Sequence, residues 1–130
     1  MSFSHLTLAY WCVLVAAALP YVAAWLAKAG AFGPGDNDAP RDWAARQGGW
    51  RARANAAQAN SFEGLPFFIG AVVAAHQFGA AQGRLDALAL AYVLLRVTYI
   101  SLYVRGKSTL RSLVWAAAML VNIAIFFVAR

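Results

Sequence analysis

The sequence predicts an all-α membrane protein, a single bundle of four transmembrane helices. Two observations carry that reading. Of its 130 residues 62% are hydrophobic and only 12% are charged, whereas soluble globular chains use about 45–50% apolar residues. The apolar residues also fall into four runs, each near the ~20 residues that a helix needs to cross a bilayer. A chain of 130 residues forms one domain, so residues 1–130 are read as one transmembrane unit.

The first span is placed at residues 6–27, which carry no charge. No Lys or Arg precedes them and the run is long, so it is read as a span and not as a signal peptide. Next comes a loop over residues 30–49, where Gly33, Pro34, Gly35, Asp36, Asn37, Asp38 and Pro40 cluster, a density of turn formers that ends helices. The second span is placed at residues 52–78. Its apolar part begins at Ser61, is interrupted by Glu63, and its helix is expected to start near Trp43 or Trp50. Residues 79–84 are too short for anything but an antiparallel hairpin turn. The third span, residues 85–104, holds Asp86 near one end and Arg96 well inside. A second short turn follows, where Ser108 or Thr109 is expected to cap the next helix. The fourth span, residues 109–129, has Asn122 as the one strongly polar residue of its apolar run. Pro20 and Pro66 fall inside spans, where neighbouring helices tolerate a kink.

The net charge of +6 raises nucleic acid as a partner. The basic residues sit between apolar runs and not on one amphipathic face, so they are read as facing anionic lipid, with no nucleic-acid partner. Lys28, Arg41, Arg46, Arg51, Arg53, Arg105, Lys107 and Arg111 belong to the first and third connections, against Arg84 and Arg130 on the other side. Positive-inside bias places those connections in the cytoplasm and both termini outside. Cys12 is the single cysteine, so no intramolecular disulfide can form. His5 and His76 are far apart and lack ligand-like company, so no metal site is expected.

Charged groups inside spans are expensive, by about 2.5–3.5 kcal/mol on insertion scales, and therefore need a partner or a function. Glu63 and Arg96 lie at similar depths on antiparallel neighbours, which predicts a Glu63–Arg96 pair. Asn60 and Glu63 are spaced i, i+3, while Arg96, Tyr99 and Tyr103 are spaced i, i+3, i+7, so each set shares a helix face. With Gln58, they predict a hydrated polar cleft open to the cytoplasm.

The stretch from Arg53 through Asn60 and Glu63 to Pro66 resembles the second-helix signature of the MAPEG family, membrane-associated proteins of eicosanoid and glutathione metabolism. Arg96-x-x-Tyr99-x-x-x-Tyr103 resembles its third-helix motif, and Leu110-Arg111-Ser112 the start of its fourth helix. Residues 36–41 are similar to bacterial members. The resemblance implies a homotrimer that binds glutathione between subunits at the cytoplasmic end. Asn60, Glu63, Gln58, Arg96, Tyr99 and Tyr103 would hold it, with Arg53 adding charge at the mouth. Arg111 would stabilise the thiolate, with Ser112 as a second candidate. The implied activity is a transferase or peroxidase acting on a lipophilic electrophile or lipid hydroperoxide that arrives through the bilayer. Ala56 and Ala59 stand where eicosanoid-forming relatives often carry arginine. The family also contains a lipid-binding protein without catalysis, so a non-catalytic binding or scaffold role is the alternative.

Overall fold

The computed structural model describes residues 5–128. Arg130, counted above among the basic residues, and Ala129, the end of the fourth run, lie outside the described residues. The described chain is helical, with no strand. Its long helices are α1 (Leu8–Lys28), α3 (Gly49–Gln77), α4 (Gln82–Val104) and α5 (Ser108–Phe127), with a 3-10 turn (Pro34–Asp38) and the short α2 (Pro40–Ala45) between the first two. By length and composition α1, α4 and α5 can each cross a membrane. The longest helix, α3, is less apolar, because its first half carries Arg51, Arg53, Asn55, Gln58, Asn60 and Glu63. It starts at Gly49, three residues before the expected span.

Local chemistry sets the ends of these helices. The Thr7 hydroxyl accepts from the Tyr10 N–H at 3.2 Å and so caps α1, satisfying an amide that would otherwise lack a partner. Both hairpin turns use a left-handed glycine just past the helix end. After α4, Lys107 N–H donates to Leu102 C=O at 2.9 Å and Gly106 N–H to Tyr103 C=O at 3.0 Å. After α3, Ala80 N–H donates to Ala75 C=O at 3.0 Å and Gly79 N–H to His76 C=O at 3.1 Å. Gly106 and Gly79 sit at φ of 75° and 76°, where a Cβ would be strained. The expected caps of α5 differ: Lys107 occupies the capping position, and no side chain bonds the free amides there.

Two of the α3 arginines close the ends of neighbouring helices. Arg51 donates from Nη1 to the carbonyls of Ala27 (2.8 Å) and Ala29 (2.7 Å) at the end of α1. Arg53 donates from Nε to Val104 C=O at 3.0 Å at the end of α4. A cation at a helix C-terminus answers both the open carbonyls and the dipole. The same contacts gather both basic connections at one end of the bundle.

Within it, α3 and α4 each pack on the other three long helices, whereas α1 and α5 do not meet. The core between α1, α3 and α4 is built largely from small residues, among them Ala9, Cys12, Ala16, Ala71, Ala75 and Ala89, around Phe68, Val72 and Leu85. Small side chains let backbones approach closely. Large apolar residues point outward instead, including Leu14, Trp25, Leu94, Leu113 and Leu120, as a lipid-facing surface requires.

Candidate functional site

At the basic end, α3, α4 and α5 diverge around a cleft of about 200 Å³ lined by Asn60, Tyr99, Tyr103, Arg111, Ser112 and Trp115. Each helix contributes through its own periodicity. On α4 the inward positions run Leu85, Ala89, Tyr92, Arg96, Tyr99 and Tyr103 (steps of three and four residues), so the stripe that packs the apolar half becomes polar further along. On α5, Arg111 and Trp115 are one turn apart. Ala118, Asn122 and Ile125 extend the same face into the core.

The cleft is organised by an alternating stack of cations and rings. The Arg111 guanidinium lies 4.3 Å from the Tyr103 ring centre. Tyr103 meets Tyr99 edge-on at 5.7 Å, and the Arg96 guanidinium lies 4.1 Å from the Tyr99 ring. Cations within about 6 Å of a ring face are attracted by its quadrupole. Arg96, only 4% exposed, donates from Nη2 to Asn60 Oδ1 at 2.9 Å and to Ser61 Oγ at 3.2 Å. The stack thus runs from Arg111 at the mouth of α5 to Asn60 on α3.

The expected Glu63–Arg96 pair does not form. Among the described residues the ion pair found joins Arg46 to Asp36 at 4.0 Å, on the surface. Glu63 instead lies exposed on the protomer surface. The buried residues of α3 (Ala54, Ala57, Ser61, Phe68, Ala71, Val72 and Ala75) define its inward face. At 100° per residue Glu63 lies about 140° around the helix from the centre of that face, and Asn60 about 80°. Arg96 therefore reaches Asn60 and Ser61. Gln58 is half-buried and outside the cleft lining, and Arg53 is engaged in closing α4. Ser61 and Trp115 are the additions that the spacing argument missed. Their signals are adjacency to Asn60 and the i+4 step from Arg111.

What remains is a cleft lined by one guanidinium, two phenols, an amide, a hydroxyl and an indole, with no carboxylate in its lining, and a second guanidinium, Arg96, buried behind the Tyr99 ring. It is suited to a polar, anionic ligand. Among the described residues no group of three His, Cys, Asp or Glu could hold a metal. At the far end His76 Nε2 and the Thr7 hydroxyl share a hydrogen bond of 2.8 Å, and Ala9 N–H donates to Asp86 at 3.0 Å.

The family's sequence model matches residues 8–130, nearly the whole chain, and the protein belongs to the MAPEG family. No curated protein and no solved structure matches the chain. Membership and the three long apolar helices together make it an integral membrane protein.

Proposed function

We propose that the protein is a membrane-bound, glutathione-dependent transferase or peroxidase acting on lipophilic electrophiles or lipid hydroperoxides. The observation that carries this reading is the cationic cleft, where Arg111, Tyr103, Tyr99 and Asn60 meet with no opposing carboxylate. Glutathione is an anionic tripeptide, and its carboxylates match guanidinium donors. Asn60 offers an amide to its backbone.

The chemistry follows from Arg111. A guanidinium within hydrogen-bonding distance favours the thiolate over a free thiol of pKa about 8.5. The uncapped first turn of α5 adds open N–H groups and the positive end of the helix dipole. Ser112 Oγ can donate a further hydrogen bond to the sulfur. The thiolate then attacks an electrophilic carbon, forming S–C as the leaving group departs with its electron pair. With a hydroperoxide, the thiolate attacks the terminal oxygen, so S–O forms as O–O breaks and the departing alkoxide takes up a proton to give the alcohol. A second glutathione thiol then attacks the sulfenic sulfur, giving disulfide and water.

The cleft of one protomer, about 200 Å³, is smaller than the roughly 300–1,000 Å³ usual for ligand pockets. A homotrimer supplies the missing wall. It also covers Glu63, a carboxylate that one protomer leaves exposed where the polar first half of α3 gives way to the apolar second half. Gln58, half-buried and about 140° around α3 from Glu63, does not share that face. In this reading all four long helices span the membrane, with the basic end in the cytoplasm of a bacterial cell. Ala56 and Ala59, which bring no charge to the cleft mouth, favour a second reading as a non-catalytic lipid-binding or scaffold protein. Single-turnover assays with glutathione and a chlorinated nitroarene or a lipid hydroperoxide separate the two. Conjugate or alcohol supports the enzyme, and glutathione binding without product supports the scaffold.

A further inference from the structure

Deeper between α3, α4 and α5 lies a second, narrow cavity, about 20 Å³, lined by Gly64, Tyr92, Arg96, Trp115, Ala118, Met119 and Asn122. Trp115 also lines the larger cleft and forms the wall between them. Three polar groups around the small cavity are incompletely satisfied. Asn122 is 3% exposed, and its Oδ1 is buried with no hydrogen-bond partner. Arg96 makes both of its hydrogen bonds from Nη2, so among the described residues Nε and Nη1 have no protein acceptor. The Tyr92 hydroxyl reaches Gly64 C=O only at 3.5 Å.

Buried polar atoms in native proteins are almost always paired with protein or with ordered water. An orphaned buried acceptor and guanidinium donors with no protein acceptor, lining one cavity, are complementary to a molecule that both accepts and donates. A water needs roughly 10–15 Å³ of such volume and two to four polar partners, and both conditions are met. We infer that one water molecule occupies this cavity and bridges Arg96 to Asn122, which makes Asn122 a positioning residue for the guanidinium that holds Asn60 in the cleft. The positioning role rests on the glutathione reading above, whereas the water itself does not.

Among the described residues no further hydrogen bond fixes the deep side of Arg96. Nη2 ties it to α3 and the Tyr99 ring supports one face, while the water would tie Arg96 to α5. All three helices that line the cleft would then be joined through one group.

The test has two arms. A structure of the protein in detergent at about 2 Å resolution, fine enough to show ordered solvent of this kind, should show an isolated density peak within hydrogen-bonding distance of Arg96 and Asn122. The peak should vanish in Asn122→Leu, which keeps the branched shape and heavy-atom count of the side chain and removes the acceptor. An empty cavity in the wild type overturns the proposal, as does anomalous signal at the site in bromide-soaked crystals, which would identify an anion. In the second arm, Asn122→Leu should weaken glutathione binding about tenfold, the effect of one charge-assisted hydrogen bond, and Asn122→Ser should recover most of it. Unchanged affinity in Asn122→Leu would overturn the positioning role. Wild-type protein that binds no glutathione would overturn the functional reading and leave the density test standing.

Discussion

The two ends of this bundle are built on opposite principles. Away from the basic end, Phe68, Val72, Leu85 and a series of alanines pack together beside a few polar groups (Asn122, the Thr7 and His76 pair, and Asp86), and Phe68 stacks on Tyr92 at 4.1 Å. At the basic end the same helices diverge. Their inward stripes carry Arg96, Tyr99, Tyr103 and Arg111, and the buried apolar cluster there reduces to Ala23, Ala57, Tyr99 and Ile100. One end is closed by packing, the other held open by charge–ring contacts and a few hydrogen bonds. Stability and the candidate site can therefore be broken separately, and the comparison predicts which substitution breaks which.

The largest effect is expected in the packed end. Phe68→Ala should cost about 3–5 kcal/mol of stability, as for a fully buried aromatic, measured by denaturant unfolding in micelles. Affinity for glutathione in the fraction still folded should change little. Arg111→Ala should do the reverse: turnover falls by about 10²–10³-fold, equivalent to about 2.7–4 kcal/mol for one lost stabiliser of developing charge. Its oligomeric state by light scattering should stay that of the wild type. Turnover surviving in Arg111→Ala would end the role given to that residue. Arg96→Ala should weaken glutathione binding by roughly 10–100-fold, since hydrogen bonds to charged groups are worth about 1.5–3 kcal/mol. The smallest effect is at the far cap. Thr7→Ala should lower stability by about 1 kcal/mol, and an unfolding midpoint shift together with altered catalysis would show that the two ends are coupled.

How much of this was legible in the sequence depends on how local the signal is. Apolar runs and short glycine turns declare the helices α1, α4 and α5, because bilayer thickness fixes run length and a left-handed glycine fixes the turn. The start of α3 at Gly49 agrees with one of the two expected starts, Trp50 and not Trp43, although the first half of the helix is polar and its helicity draws on packing beside α1 and α4. The convergence of Asn60, Arg96, Tyr99 and Tyr103 follows from i, i+3 and i+7 spacing on two helices, whereas Arg111 entered only through the family resemblance. The partner of Arg96 did not follow. Depth along a helix is readable from residue counts, but rotation about its axis is set by which small residues face inward. Ala54, Ala57 and Ser61 turn Glu63 outward and bring Asn60 to Arg96. The orphaned Asn122 was visible only as an isolated polar residue in an apolar run, and its cavity depends on side chains from three helices.

The central claim is that the open, cationic end is a glutathione site. Calorimetry of glutathione binding to the purified protein in detergent tests it most directly, with Arg96→Ala and Glu63→Gln as controls. Saturable binding that both substitutions weaken is the predicted result, with Arg96 acting through Asn60 and Tyr99, which line the cleft, and Glu63 from a neighbouring protomer. A folded, oligomeric wild-type protein that takes up no glutathione would contradict the claim.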